Sequence, residues 1–207
     1  MKLARRPLAY SLALFMLSSF LGSLWPRLAP YDAWLLVQLN SRGNAALDYA
    51  FLLITQLGSL PFWAAATAYL WLAGELRAAA YLALGLMLEE PFALISKLVA
   101  ARPRPQLAIQ DLRALQFESD FSLPSGHAQR TAYAALMPRL RHRARLYLLL
   151  LLGLVSFSRI YLGAHYPLDV LVGLLNGLAF NRLLRSLDLG PLEALMAKAR
   201  GWVLAKL

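Results

Sequence analysis

The chain has 207 residues, of which 59% are hydrophobic and only 15% are charged. About a quarter of the residues of an average soluble domain are charged, so this composition excludes an ordinary soluble globular protein. The formal net charge of +10 would suit nucleic-acid binding. The basic residues cluster at the ends of apolar segments, however, which favours contact with anionic lipid headgroups. Because there is no cysteine, disulfides and thiol chemistry are also excluded.

Six apolar segments follow in chain order, and we predict that they are membrane-spanning helices, each of which needs about 20 residues. They lie at about residues 8–25, 45–74, 77–99, 125–138, 146–162 and 167–184. Lys2, Arg5 and Arg6 precede the first segment, as basic residues do in a signal peptide. No clear small-x-small cleavage site follows, so we predict a retained helix. Pro26 and Pro30 are expected to end it.

The connections differ in character. Residues 26–44 are predicted to form an outer connection, and residues 100–123 a polar loop. The second apolar segment is long for one span, and Gly58 and Pro61 interrupt it. It is therefore either an interfacial helix followed by a span or one kinked helix. The tail at residues 188–207 sets Lys198, Arg200 and Lys206 against Leu192, Leu195, Trp202 and Leu204, which predicts a short amphipathic helix.

Three short regions are basic and poor in acidic residues: the N-terminus, the arginine-rich turn at 139–145 and the C-terminal tail. The positive-inside rule places all three in the cytoplasm, and six spans satisfy this count. We therefore predict an all-α, six-helix membrane bundle that forms a single domain over residues 1–207. The polar loop at 100–123 and the turn at 163–166 then lie outside.

Lys97 and Arg104 lie where the third segment leaves the membrane, and Pro103 and Pro105 fix an extended chain around Arg104. Two cations at this point can bind an anion. They can also simply reach lipid headgroups, as basic residues at helix ends commonly do.

The sequence Pro124-Ser125-Gly126-His127 opens the fourth segment. Ser125 is a good N-cap residue, and the free N–H groups of the turn that follows would face an anion, with glycine permitting close approach. His127 would lie beside this turn. The alternative is an ordinary N-cap followed by an interfacial histidine.

The third polar stretch runs from Ser158 to Asp169. Pro167 suits the first position of a helix, so Asp169 falls in the first turn of the sixth segment, just after His165. At this spacing Asp169 can accept a hydrogen bond from one imidazole nitrogen and leave the other free as a nucleophile. Alternatively, Asp169 only complements the helix dipole. Arg159 lies near the outer end of the fifth segment, where the positive-inside rule does not call for arginine.

Taken in order, K-x6-R-P, P-S-G-H and S-R-x5-H-x3-D resemble the motifs of the type 2 phosphatidic acid phosphatase superfamily. All positions are intact, at Lys97, Arg104 and Pro105, at Pro124 to His127, and at Ser158, Arg159, His165 and Asp169. The motifs cover residues 97–169, and the six-segment pattern extends the resemblance over most of the chain. Among members of this superfamily, the chain is similar to the membrane lipid phosphatases.

The resemblance implies roles for these residues. His165 would attack phosphorus to form a phosphohistidine, with Asp169 orienting it, and His127 would protonate the leaving oxygen and then activate water. The non-bridging oxygens would be held by Lys97, Arg104, Arg159, Ser125 and Gly126. Phosphoryl transfer depends mainly on positioning and charge stabilisation. Three cations and a helix N-terminus supply both, so we expect no metal or other cofactor.

The implied substrate is a lipid phosphate, reached from the bilayer at the outer face of a bacterial inner membrane. We favour undecaprenyl diphosphate, with phosphatidylglycerophosphate, phosphatidic acid or a lipid A phosphate as alternatives. A lipid phosphotransferase using the same phosphohistidine, a catalytically silent lipid-binding or translocating protein and a vanadate-dependent oxidase are the rival functions. The sequence indicates no nucleic-acid partner and leaves the oligomeric state open.

Two further acidic residues, Glu89 and Glu90, fall in the middle of the third segment, where ionisable groups are costly and usually face the protein interior. Arg130 is three residues past His127, on the same helix face. We predict that Glu89 or Glu90 pairs with Arg130 and braces His127. A purely structural polar contact is the alternative.

Overall fold

A computed structural model describes residues 5–41, 43–110, 112–138 and 140–206. Throughout these ranges the regular structure is helical, which confirms the predicted all-α class. The helices are α1 Arg5–Ser23, α2 Trp25–Asn40, α3 Ala45–Gln56, α4 Leu60–Leu72, α5 Leu76–Ala100, α6 Pro105–Ala108, α7 Gly126–Ala135, α8 His142–Tyr161, α9 Pro167–Leu184 and α10 Gly190–Leu204. Lys2, Asp111 and Arg139, which entered the sequence predictions, lie outside the described residues.

The predicted six-span count is not confirmed. Within the described ranges, α5, α8 and α9 are long and apolar enough to cross a membrane, and the bent pairs α1–α2 and α3–α4 raise the number to five if each pair is one span. The predicted fourth span corresponds to α7, which has only 10 residues. At 1.5 Å per residue α7 is about 15 Å long, half the thickness of the hydrocarbon core.

Helix α7 tolerates this short length because it lies inside the bundle, where eight of its residues are buried. It packs closely on α9 at two glycines of the latter. A Cβ atom at Gly177 would lie 2.2 Å from the carbonyl oxygen of Gln129, and one at Gly173 would lie 2.5 Å from that of Ser125. The two backbones therefore touch, as small residues four apart allow in membrane helices.

Helix α2 occupies much of the region predicted as an outer connection. It turns by 78° from α1, and Pro26 lies in its first turn, where the missing N–H costs nothing. Pro30 was expected to help end a helix, but it lies inside α2. Asp32 of α2 accepts from the backbone of Leu168, and Asn40 donates to the carbonyl of Tyr161. Helix α2 thus lies across the ends of α8 and α9.

The opposite end of the bundle holds the main apolar core. Tyr81 of α5 stacks on Tyr133 of α7 with ring centroids 4.9 Å apart, beside Phe180 and Leu184 of α9. Helix α10 covers this end, where Arg200 donates to the carbonyl of Leu72. The predicted helical tail is present and begins at Gly190.

Candidate active site

The three polar stretches of the sequence meet at one end of the bundle. This end is formed by the last turns of α5 and α8 and the first turns of α7 and α9. A cavity of about 620 Å³ opens between them. Its polar lining includes Glu90, Lys97, Glu118, His127, Arg130 and His165.

His165 is placed by the tight turn between α8 and α9. Gly163 adopts a positive φ of 71°, and the backbone N–H of His165 donates to the carbonyl of Arg159 at 3.1 Å. The imidazole is buried, with Nε2 2.9 Å from Nη1 of Arg104. Burial, reinforced by the positive charges of Arg104 and Arg159, holds the pKa of His165 well below its ordinary value. The ring is therefore neutral at pH 7.

The expected contact between His165 and Asp169 is longer than a hydrogen bond. Nδ1 of His165 lies 3.5 Å from Oδ2 of Asp169, beyond the usual range for an N–H···O bond. Asp169 instead accepts from the backbone N–H of Tyr166 at 2.9 Å and from the hydroxyl of Ser122. The carboxylate of Asp169 therefore lies at ion-pair distance from His165 and accepts its shorter hydrogen bonds from other groups.

Arg102 is the strongest partner of Asp169, and sequence reasoning missed it. It donates to Asp169 at 2.7 Å and to Asp32 at 2.6 Å, and its guanidinium lies 3.8 Å above the ring of Tyr166. All three charged groups are buried. The sequence showed only that an arginine stands inside the K-x6-R-P motif. It did not indicate the two acidic partners, because both are about 70 residues away along the chain.

The three predicted phosphate-binding cations converge on two acidic residues of the loop that follows α6. Glu118 forms ion pairs with Arg104, at 2.5 Å, and with Arg159. Asp120 pairs with Lys97 and Arg104. Partial burial acts to raise the pKa of Asp120, but the hydrogen bonds from Lys97 and Arg104 outweigh it, and the pKa is lowered. From the sequence, Glu118 and Asp120 were assigned only to the polar loop at 100–123, without a pairing to these cations.

Two buried donors in this region have no hydrogen-bond partner within the described part of the chain. They are Nε of Arg159 and the hydroxyl of Ser125. Ser125 does occupy the N-cap position of α7, but its side chain does not cap the helix as predicted. Its backbone N–H donates to the carbonyl of Asp169 at 3.0 Å, which ties the start of α7 to the start of α9. Unpaired buried donors are costly unless a ligand satisfies them.

His127 lies on the first turn of α7 and faces the same cavity as His165. Gly58, between α3 and α4, packs so closely on it that a Cβ atom there would lie 3.1 Å from the imidazole. Burial, together with the charges of Arg159 and Arg130, lowers the pKa of His127 from its ordinary value. Both site histidines are therefore neutral bases in this arrangement.

The predicted acid–arginine pair forms through Glu90. Nη1 of Arg130 lies 2.5 Å from Oε1 of Glu90, and Nε of Arg130 donates to the carbonyl of Gly58 at 3.1 Å. Glu89 does not take part in this pair: it is fully buried, and its carboxyl oxygens have no hydrogen-bond partner within the described ranges.

Comparison with known proteins identifies the family. The model of the PAP2 superfamily matches residues 75–188, which is more than half of the chain. The chain belongs to the PAP2 superfamily. The matched region runs from the start of α5 to the end of α9 and contains every motif residue described above. With its apolar helices, this PAP2 member is an integral membrane protein.

Three known proteins are similar to this chain in sequence or in fold. An undecaprenyl-diphosphatase of Sulfolobus acidocaldarius is 37% identical over 86 residues, which is 40% of this chain and 42% of the relative. The match thus spans less than half of that protein. The crystal structure of LpxE from Aquifex aeolicus has a TM-score of 0.66 and 28% identity, covering 73% of this chain and 92% of LpxE. A PAP2-type phosphatidylglycerolphosphate phosphatase from Bacillus subtilis shares the fold, with a TM-score of 0.71, 24% identity and coverage of 84% and 94%.

Proposed function

We propose that this PAP2 member is a lipid phosphatase that removes the terminal phosphate of a membrane lipid through a phosphohistidine. The observation that carries the proposal is the position of His165, buried between Asp169 and Arg104 in a cavity that Lys97 and His127 also line. Nδ1 faces the carboxylate, so the proton belongs on Nδ1 and the lone pair on Nε2. Nε2 is then the nucleophile.

In the first step Nε2 of His165 attacks phosphorus, and the bond from phosphorus to the leaving oxygen breaks. His127 donates the proton that the leaving oxygen takes up. In the second step His127 accepts a proton from water, whose oxygen attacks the phosphohistidine and releases inorganic phosphate and neutral His165. Lys97, Arg104 and Arg159 neutralise the non-bridging oxygens, and the unpaired donors of Ser125 and Arg159 complete their hydrogen bonds.

The low pKa of His165 suits a nucleophile, since only the neutral ring can attack. His127 must carry a proton when the substrate binds, although its pKa is lowered in the free protein. A bound phosphate neutralises the arginines that contribute to this lowering, and its own negative charge favours the imidazolium. Substrate binding is therefore expected to raise the pKa of His127 into the range that an acid catalyst needs.

The substrate phosphate competes with the protein's own carboxylates. Three positive side chains and the two negative side chains of Glu118 and Asp120 leave a net charge of only +1 at the cation cluster. A phosphate bearing two negative charges binds well only if at least one carboxylate moves away. The loop that carries Glu118 and Asp120 would then fill the phosphate site in the free protein and move out of it when the substrate binds.

Replacing Glu118 by Gln is expected to strengthen inhibition by inorganic phosphate about tenfold, since one charge-assisted hydrogen bond is worth about 1.5 kcal/mol. The measurement is the inhibition constant of inorganic phosphate in a phosphate-ester assay. Glu193→Gln is the matched control, because Glu193 pairs with Arg77 at the opposite end of the bundle. Unchanged or weaker inhibition in Glu118→Gln would contradict the competition.

The lipid part of the substrate is argued from the apolar side of the cavity. Leu60 of α4 and Pro91 and Leu94 of α5 line it, and both leucines are also exposed on the outside of the bundle. An acyl or isoprenyl chain in the bilayer can therefore reach the cavity between α4 and α5. Undecaprenyl diphosphate remains the favoured substrate, with phosphatidylglycerophosphate and phosphatidic acid as alternatives.

The site is proposed to face the periplasm. Arg141, Arg143 and Arg145 lie at the start of α8, at the end of the bundle opposite to His165, as do the start of α1 and the whole of α10. The positive-inside rule puts that end in the cytoplasm of a bacterial cell.

Cysteine labelling tests this orientation, because the chain has no cysteine of its own. We expect a membrane-impermeant maleimide to label Ser119→Cys, in the exposed loop at the site, in intact bacterial cells. Lys198→Cys, exposed on α10, should be labelled only after the cells are lysed. The reverse pattern would place the site in the cytoplasm.

The proposed activity is tested by phosphate release from a panel of detergent-solubilised lipid phosphates without an added acceptor. Release is expected, with undecaprenyl diphosphate the best substrate. Release from a different lipid would change the substrate and keep the chemistry. If phosphate left the lipid only when a lipid or sugar acceptor was present, the protein would be a phosphotransferase.

A further inference from the structure

The cavity that holds His127 and His165 is also lined by a second charged group, Arg130 and Glu90. Arg130 is three residues further along α7 than His127, which places its Cα atom about 4.5 Å further along the helix on the same face. Glu90 is seven residues before Lys97 on α5, or about 10 Å deeper. Both residues line the cavity together with His127. The cavity is thus lined by Lys97 of the cation cluster and by a further arginine on the helix that carries the proposed acid catalyst.

Arg130 is held rigidly with part of its guanidinium available. Its side chain is only 8% exposed. Nε donates to the carbonyl of Gly58 and Nη1 to Glu90, whereas Nη2 makes no hydrogen bond within the described ranges. The guanidinium also lies against the first turn of α7, with Nη1 3.2 Å and Nη2 3.5 Å from where a Cβ of Gly126 would stand. Arg130 therefore adjoins the helix N-terminus of the phosphate site.

The direction of attack determines which part of the substrate lies near Arg130. If His165 attacks phosphorus in line, the leaving oxygen points away from His165 and toward His127. The group that the leaving oxygen carries then lies on the His127 side of the phosphorus, and Arg130 and Glu90 line the cavity together with His127. For a lipid monophosphate that group is the carbon of an alcohol, and for a lipid diphosphate it is a second, negatively charged phosphate.

We propose that Arg130 binds the phosphate that stays on the lipid and makes the protein selective for lipid diphosphates over lipid monophosphates. This inference rests on the proposed phosphatase function. A guanidinium matches the oxygens of a phosphate in charge and geometry, and it offers little to an alcohol carbon. Arg130 also stabilises the negative charge that develops on the leaving phosphate. Glu90 orients Arg130 and weakens its attraction for the phosphate.

The test compares farnesyl diphosphate with farnesyl monophosphate, which share a tail and differ by one phosphate. In the wild type, kcat/KM is expected to be higher for the diphosphate. In Arg130→Gln, the ratio of the two kcat/KM values is expected to fall about 100-fold, the typical loss when a donor to a developing negative charge is removed. If Arg130 only braced His127, both substrates would lose activity equally and the ratio would stay constant, which would overturn the inference.

A second variant keeps the inference testable if Arg130→Gln does not fold. Glu90→Gln retains a hydrogen-bond acceptor for Arg130 but removes the competing charge, so KM for the diphosphate should fall relative to that for the monophosphate. An unchanged or reversed ratio would overturn the inference. Arg113→Gln, in the outer loop and paired with Asp48, is the control and should keep the wild-type ratio. If the wild type released phosphate from neither substrate nor from the lipid panel, the proposed function itself would fail, and this inference with it.

Discussion

Replacing His165 by Ala is expected to abolish phosphate release, with a loss of at least about 10³-fold, as is typical when a covalent nucleophile is removed. We expect no other imidazole to take its place, because in the proposed mechanism His127 acts on the opposite side of the scissile bond, and His142 lies at the far end of α8. The measurement is the initial rate of phosphate release from a lipid phosphate in detergent. Thermal melting of the variant shows whether it remains folded.

Trapping the intermediate separates a nucleophile from a residue that only binds. His127→Ala retains His165 but lacks the base that activates water, so an acid-labile phosphoprotein should accumulate when it is mixed with p-nitrophenyl phosphate, whose leaving group departs without a proton from His127. The double variant His127→Ala/His165→Ala should form none. His142→Ala is the matched control, since His142 is exposed at the start of α8, and it should keep the wild-type rate. A folded His165→Ala protein that kept most of its rate would rule out the phosphohistidine route.

Replacing Arg102 by Met is expected to lower the free energy of unfolding by about 3–5 kcal/mol, the usual cost of breaking a buried ion pair by removing one partner. Arg102 is 1% exposed and is the shared cation of two buried carboxylates, Asp32 and Asp169. Its loss leaves both negative charges without a cation, and it also removes the group that holds Asp169 beside His165. Both the melting temperature in detergent and the rate of phosphate release should fall.

A control and a rescue show whether charge burial is the cause. Arg113→Met breaks the pair with Asp48, whose side chains are 31% and 22% exposed, and should cost about 1 kcal/mol or less. Adding Asp32→Asn to Arg102→Met removes one of the two uncompensated charges and should restore part of the stability. If the double variant melted below Arg102→Met, the loss would instead come from packing on Tyr166.

Hydropathy predicted the long helices well. The segments expected at about 77–99, 146–162 and 167–184 correspond to Leu76–Ala100, His142–Tyr161 and Pro167–Leu184. The largest difference, at the start of α8, arises because Arg143 and Arg145 continue the helix with their charges near the membrane surface instead of forming a turn. The length of α7 was overestimated, and the segment at 125–138 was predicted to span the membrane. An apolar run does not reveal whether lipid or other helices surround it.

The sequence by itself determined the family and the positions of the residues proposed to react. Motif spacing is a local property, and short helices and turns convert it directly into position. Lys97, His127 and His165 lie at helix ends for that reason. Only the tertiary structure decided which charges meet. Arg102 bridging Asp32 and Asp169, and Glu118 pairing with Arg104 and Arg159, join residues between 14 and 70 positions apart. Such pairs form because a cation buried in an apolar bundle is stable only beside an anion, and the fold alone determines which anion is near.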